Sequence, residues 1–470
     1  MKRIALLIPV LALLAGCVPG IVPRETEIAD KSLGLGSVPA PKIPDAWWTG
    51  FGDPQLDRLM TEALAGNPTL HDALARLRAA KAGVDDANSA LYPHVNFDAQ
   101  EERLRFSKAY IIPPPFGGTW RWYGTIAADL NWDIDFWGKQ AAELQKAKDL
   151  QVSSRLDLEA ARLAISGAVA AAYVNLDRAY KLADIAAQTE RDRQNTLSLT
   201  QRRVRDGLDS QVEEQEAEAL YAQAREARVK ADSERDIVAH ELAELAGRGA
   251  DAYAGIGKPA LHLDAALPLP TTLPVDLLAR RPDILSAQAR IEAAFEGRKI
   301  ARAAFYPDVN LLATAGWAAV GLSPLFLSKS AQYGAGGAVH LPLFDAGQLR
   351  AEYAGATADI DLEIADYNGA VTNAVRQTAD ALTQIRSLAD QRAVHTQELA
   401  AAEKGYRLAT TRYRTGLANQ LTLLDAERVV FDARQGQVSL AADSAIQRVT
   451  LLIAVGGSFE PQTVIAAASR

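Results

Sequence analysis

The chain of 470 residues is 49% hydrophobic but only 7% aromatic, a composition dominated by Ala, Leu and Val that suits closely packed helices better than one large globular core. A net charge of −8, with no basic block, argues against a nucleic-acid partner. The single cysteine rules out a disulfide within one chain, and the two methionines exclude a Met-rich metal path.

Met1-Lys2-Arg3 is a short basic start, Ile4 to Ala15 is apolar, and Leu14-Ala15-Gly16-Cys17 closes the run with small residues. The run is well short of the ~20 residues of a spanning helix and reads as a secretory signal over 1–16. Its end resembles a bacterial lipobox, which implies cleavage before Cys17 and lipidation of that thiol. Val18 rather than Asp follows, pointing to the outer membrane. Residues 17–66 form a Pro- and Gly-rich tether and then Trp47-Trp48, Phe51-Gly52-Asp53-Pro54 and a helix with Leu56, Leu59, Met60 and Ala63 on one face. The two tryptophans are expected to pack against a helical body.

From here the chain is written twice. Pro68 to Asn96 matches Pro282 to Asn310 without a gap, including Arg76/Arg290, Gly83/Gly297 and Tyr92-Pro93/Tyr306-Pro307. Arg203 to Gln211 and the following Glu216-Ala217-Glu218 match Arg412 to Gln420 and Asp425-Ala426-Glu427, at a constant offset of 209 (416 − 207). Two blocks in the same order define an internal duplication. The first repeat spans 67–247, the second 275–456, with an inter-repeat linker over 248–274 and a tail over 457–470.

Within each repeat the hydrophobic period changes from 3.6 to 2. The even positions Trp120, Trp122, Ile126, Ala128, Leu130 and Trp132 are apolar, whereas the odd ones include Arg121, Thr125, Asp129 and Asn131. The partner strand begins Val95, Phe97, Ala99 but loses phase after Glu101, which predicts a bulge or an exit from the membrane. Val309 to Trp317 and Tyr333 to Leu343 repeat the alternation. Hairpins are therefore expected over about 94–133 and 308–343, joined by the loops Ile112–Gly118 and Gly321–Pro324. Four strands cannot close a barrel, since the smallest have about eight, so one chain must borrow strands from others.

Long Ala-rich helices follow each hairpin, and no Pro occurs from Gly138 to Arg205, a reach of about 100 Å at 1.5 Å per residue. Leu158, Ile165, Val169, Ala172, Leu176, Ala179 and Ala183 keep alternating steps of three and four. So do Ala217, Leu220, Ala224, Ala227 and Ala231, Val371 to Ala389, and Ala426, Val429 and Ala433, as in coiled-coil seams. Gly207 and Gly416 each stand where a helix should stop and turn, giving hairpin tips at about 205–216 and 414–425. Asp209 is expected to cap the returning helix. Six scattered histidines, no Gly-x-Ser-x-Gly elbow, no phosphate-binding loop and no Cys cluster argue against an enzyme, a metal or another cofactor.

The lipobox, the Trp-Trp-x-x-Phe-Gly-Asp-Pro start, Arg281-Pro282-Asp283-Ile284, the strand–helix junctions at Trp132–Gly138 and Leu341–Gly347 and the Gly416–Glu427 tip resemble the outer-membrane factors of tripartite efflux pumps, especially the lipid-anchored branch serving resistance-nodulation-division pumps. The resemblance implies a mainly α homotrimer whose twelve strands form one transmembrane β-barrel above a periplasmic α-barrel. It implies an exit duct working with a periplasmic adaptor and an inner-membrane pump that selects the cargo. By that resemblance Glu213, Glu216 and Asp425 become constricting carboxylates at the periplasmic gate, held by Arg205, Arg412 or Arg414. Gly207, Leu208, Gly416 and Leu417 become the adaptor-docking tips. Thr422 stands where some members carry a further Asp. The alternatives are a periplasmic adaptor, with one helical hairpin rather than two, and a structural coiled-coil lipoprotein.

Overall fold

The computed structural model describes residues 18–109, 115–264 and 267–461. The signal segment, Cys17, the last nine residues and part of the loop Ile112–Gly118 therefore lie outside the described residues.

The chain divides into two compact units. The first contains the strands. β1 (His94–Arg105), β2 (Trp120–Asp133), β3 (Asp308–Val320) and β4 (Ala331–His340) form an antiparallel sheet in the order β1-β2-β3-β4. The register of β1 on β2 is unbroken from His94 opposite Asn131 to Arg105 opposite Trp120, so the expected bulge is not there. Phe106 follows the strand and packs edge-on against Tyr123 at 6.2 Å, on the opposite face from Trp122, so its apolar group serves the other side of the sheet. β4 ends at His340, short of the Leu341 and Leu343 expected from alternation, because Pro342 has no N–H to continue a ladder. Across all four strands the registers place Val95, Phe97 and Ala99 with Ala128, Ile126 and Leu130, then with Ala313, Ala315 and Trp317, then with Ala335 and Tyr333. Over these positions one face is apolar from edge to edge. The other carries Asn96, Asp98, Thr125, Asp129 and Thr314.

The second unit holds the buried core. The helix α1 (Pro54–Gly66) starts at Asp53, whose carboxylate accepts from the Gln55 amide at 2.9 Å and from Tyr173 Oη at 2.8 Å. Leu56, Leu59, Met60 and Ala63 are buried with Trp47, Phe51, Val169, Leu176, Leu242 and Leu452. Trp47 thus packs as expected, and Trp48 rests edge-on against it at 5.8 Å. The repeats supply α2 (Pro68–Ser89), α3 (Lys139–Arg205) and α4 (Gln211–Leu245), then α5 (Pro282–Ala303), α6 (Gln348–Arg414) and α7 (Gln420–Ala454). The linker contains a 3-10 turn at Ala250–Gly255. Arg281 is buried, clamps Asp283 at 2.7 and 3.0 Å and donates to the Ala454 carbonyl at 3.0 Å, tying the start of α5 to the end of α7.

The seam on α3 is buried from Leu158 to Ala183 except at Ile165, which is half-buried against the core. On the later helices it drifts. Ala227, Ala389 and Val429 are exposed, whereas Leu388 and Val430 are buried one position away from the expected stripe. A helix of 3.6 residues per turn rotates about 20° per heptad against a strict seven-residue pattern, so a stripe written over several turns slides off the contact. Among the described residues no helix is long and apolar enough to cross a membrane.

Candidate functional site

The two hairpin tips lie in the second unit and share one backbone design. α3 ends with the Gly207 amide on the Val204 carbonyl at 3.1 Å and the Leu208 amide on the Arg203 carbonyl at 2.8 Å. α6 ends with Gly416 on Tyr413 at 3.1 Å and Leu417 on Arg412 at 2.8 Å. Both glycines are left-handed, with φ of 72° and 77°, as this helix ending requires of a residue with little steric cost at positive φ. Gly207, Leu208, Gly416 and Leu417 are all exposed, the leucines by 64% and 70%.

The caps differ. Ser210, not Asp209, caps α4: its Oγ accepts from the Val212 amide at 3.2 Å, while Glu213 accepts from the Ser210 amide at 2.9 Å and from its hydroxyl. Ser at the cap with Glu three residues on satisfies donors reciprocally, which Asp209 could not do from one position earlier. The hydrogen bonds from Ser210 hold the Glu213 carboxyl below its ordinary range. Asn419 caps α7, accepting from the Thr422 amide at 3.1 Å and from its hydroxyl at 2.7 Å.

Asp209, released from capping, joins the two hairpins. Arg203 grips it with two bonds, Nε to Oδ2 at 2.8 Å and Nη2 to Oδ1 at 3.0 Å. Tyr413 from the other hairpin donates its hydroxyl to the same carboxylate at 2.9 Å and lies 3.2 Å from the Thr200 hydroxyl. The Arg203 guanidinium stands 4.7 Å over the Tyr413 ring and donates to the Tyr413 carbonyl at 3.4 Å. The Tyr413 side chain is fully buried. Hydrogen bonds from Arg203 hold the Asp209 carboxyl low, and burial pushes the Tyr413 phenol up. Gln420 adds a second crossing, donating to the Glu213 carbonyl at 3.2 Å.

Two turns along, Arg193 of α3 reaches Glu427 of α7 with Nη1 2.8 Å from Oε2. Glu427 is wholly buried, and although the charges touch, neither carboxylate oxygen finds a well-directed hydrogen bond. Burial raises this carboxyl to about 7, with Asp192 adding to the rise and Arg193 opposing it.

Within one chain, Glu216 and Asp425 are exposed, and the carboxylate of Glu213 is folded back onto Ser210. Arg205 and Arg412 bond to the carbonyls of Gln201 and Leu417 at 3.3 and 3.5 Å, and Arg414 is exposed. The chain itself does not pair these arginines with those carboxylates. Reasoning from sequence did not single out Arg203, Tyr413 or the buried Glu427. A departure between the repeats marks one of them, since Tyr413 stands where the first copy has Val204.

The outer membrane efflux protein family model matches residues 59–248 and 273–457. The chain belongs to that family. It is an efflux channel protein of the outer membrane, with the two helical hairpins and four strands of that architecture and not the single hairpin of an adaptor. It is 32% identical, over 72% of its length and 66% of the relative's, to the fusaric acid resistance protein FusA of Burkholderia cepacia. It is 29% identical, over 96% of its length and 97% of the relative's, to the multidrug resistance outer membrane protein MdtQ of Escherichia coli O157:H7. Its fold matches the crystal structure of the outer membrane protein VceC of Vibrio cholerae with a TM-score of 0.82 and 32% identity, covering 89% of this chain and 100% of that one.

Proposed function

We propose that three copies of this chain form the exit duct of a tripartite efflux system, anchored by a lipid on Cys17 and receiving cargo from an inner-membrane pump through a periplasmic adaptor. The observation that carries this reading is the sheet: four strands with one apolar face and two open edges, β1 and β4. An open edge at membrane depth leaves amides without partners, so strands of the bilayer must close into a barrel. Three such sheets supply twelve strands, with Thr125, Asp129 and Thr314 facing the water. The tips then converge at the periplasmic entrance. The Arg203–Asp209–Tyr413 cluster locks each chain's two hairpins together there, and Glu213, Glu216 and Asp425 stand near the axis, where Arg205, Arg412 and Arg414 of neighbouring copies reach them. Docking of the adaptor on Gly207, Leu208, Gly416 and Leu417 opens the entrance by exchanging these bonds. The duct performs no chemistry on its cargo.

Light scattering in mild detergent tests the reading, with the expected result a three-chain particle whose β-structure resists unheated electrophoresis and which conducts in planar bilayers. A monomer that retains all four strands would overturn it.

A further inference from the structure

The apolar face of the sheet changes character toward the end that carries the β1–β2 and β3–β4 turns. Above Ile126 and Gly124 come Trp122 and Trp120, and the register sets Arg103 directly beside Trp122 and Arg105 beside Trp120. These arginines therefore point to the lipid side, not to the water-filled side where Arg121 and Tyr123 lie. The Arg103 guanidinium sits 6.0 Å from the Trp122 ring centre, and Arg105 Nε donates to the Gly118 carbonyl at 3.3 Å. Both arginines are exposed, as are Trp120 by 62% and Trp122 by 49%.

The depth of this patch follows from the other end of β2. Trp122 and Trp132 are on the same face, ten residues apart, which is about 33 Å of strand and about 25 Å of height at a tilt near 40°. That equals the apolar band of an outer-membrane barrel, with one tryptophan at each boundary. The helices join the sheet at the Trp132 end and are too polar to enter the membrane, so Trp122 marks the outer leaflet boundary. Arg103 is level with that boundary and Arg105 lies just beyond it. A guanidinium on the lipid side is costly at the midplane and nearly free at the boundary, where its fork meets phosphate oxygens in pairs. Glu101 lies on the same face one step inward, while Lys108 runs against Gly118 in the turn. The patch is thus positive on a chain whose net charge is −8, so it is no overflow of general basicity.

We propose that Arg103 and Arg105, framed by Trp120 and Trp122, form a docking site for the phosphate groups of the phosphorylated glycolipid that makes up the outer leaflet. The Trp122 face lies under the Arg103 guanidinium and the Gly118 carbonyl holds Arg105, and residues two apart on one face of a strand present two such forks about 7 Å from each other. The site rests on the outer-membrane barrel reading and adds to it a fixed ring of lipid.

The test uses the full-length protein purified in mild detergent, titrated with bisphosphorylated lipid A, dephosphorylated lipid A, phosphatidylglycerol and inorganic phosphate, with bound lipid counted by native mass spectrometry. Bisphosphorylated lipid A is expected to bind at least tenfold more weakly to the Arg103→Ala/Arg105→Ala double variant. Arg121→Ala, on the other face, should bind as the unaltered protein does. The Arg103→Lys/Arg105→Lys double variant keeps charge and should retain part of the binding, which separates lost recognition from lost folding. Undiminished binding in the Ala pair overturns the proposal, as does equal loss in Arg121→Ala. Equal affinity for dephosphorylated lipid A, phosphatidylglycerol or free phosphate does the same. Conductance in bilayers free of lipid A reports on the barrel separately: its absence in the unaltered protein would count against the channel and not against this site.

Discussion

The two hairpin tips are copies of one backbone plan with divided chemistry. Both end a helix on a left-handed glycine, and both begin the next helix on a capped turn. Yet Arg203, which bonds Asp209, corresponds to Arg412, whose counterpart of that aspartate is Ala418. Tyr413 corresponds to Val204, and the buried Glu427 to the exposed Glu218. Likewise Arg193 corresponds to Ala402. At the outer crossing the first repeat supplies Arg203 and Asp209 and the second supplies Tyr413, whereas at the deeper one the first supplies Arg193 and the second Glu427. Duplication preserved the turns, while divergence of a few side chains converted two like hairpins into an interlocking pair.

Removing the deeper arginine should break this division most severely. Arg193→Ala leaves the Glu427 carboxylate buried without a counter-charge, a loss of about 3–5 kcal/mol. The Glu427 carboxyl titrates at about 7 in the folded chain against an ordinary 4.5. Between those values the folded state binds more protons than the unfolded one, so stability from this group is complete below about 4.5 and lost as pH rises through about 7. The Arg193→Ala defect should therefore be greatest above pH 7 and shrink on acidification, as read from thermal melting at several pH values. Glu427→Gln should flatten that dependence, whereas Glu218→Gln, its copy in the first repeat, should leave melting unchanged. A pH-independent defect would refute the assignment.

The outer crossing should respond differently. Tyr413→Phe or Asp209→Ala removes charge-assisted hydrogen bonds worth about 1.5–3 kcal/mol. Either should raise single-channel conductance by loosening the tips. The Asp209 carboxyl is depressed below its ordinary 3.8, so its contribution is present above that value and lost only as pH falls through the lower one. From pH 5 to 8 this crossing should be constant while the Glu427 crossing weakens. Conductance in Tyr413→Phe equal to that of the unaltered channel would remove the crossing from gating. A smaller effect is expected from Asp425→Ala combined with Glu213→Ala, which should raise conductance and lower cation selectivity, because ringed carboxylates concentrate cations at an entrance. Unchanged selectivity in an intact assembly would place the constriction elsewhere.

What could be read from the sequence was whatever leaves a period or an offset. The duplication, the tip glycines and the strands are all of this kind, since burial of one face marks every second or every third to fourth residue. The non-local pairings leave no such trace. Asp209 follows Gly-Leu and is a good capping residue, so a local rule assigned it to the helix start. Ser210 takes that place because Glu213 completes a box around it, and Asp209 is claimed instead by Arg203, six residues away, together with Tyr413, 204 residues away. Glu427 and Glu218 have the same Asp/Glu-Ala-Glu surroundings, and only packing against α3 buries one of them. The second strand of the first hairpin was legible by alternation, but its partner required the register to show which face Leu104 and Phe106 serve.

The mildest test contrasts the caps themselves. Ser210→Ala removes the acceptor of the Val212 amide and one of the two donors to Glu213, while Asn419→Ala removes the acceptor of the Thr422 amide and hydroxyl. Each change should cost about 1 kcal/mol, roughly a fivefold loss of hydrogen-exchange protection confined to the first turn of its own helix. The consequences beyond the turn should differ. Asn419→Ala exposes only uncharged groups, so ion selectivity should be preserved. Ser210→Ala releases Glu213 from its hydroxyl bond and returns its carboxyl toward the ordinary range, making that charge freer to face the entrance. Cation selectivity should therefore shift in Ser210→Ala and not in Asn419→Ala. If both caps alter selectivity alike, the difference between the tips lies in helix stability alone, and Glu213 has no separate part at the entrance.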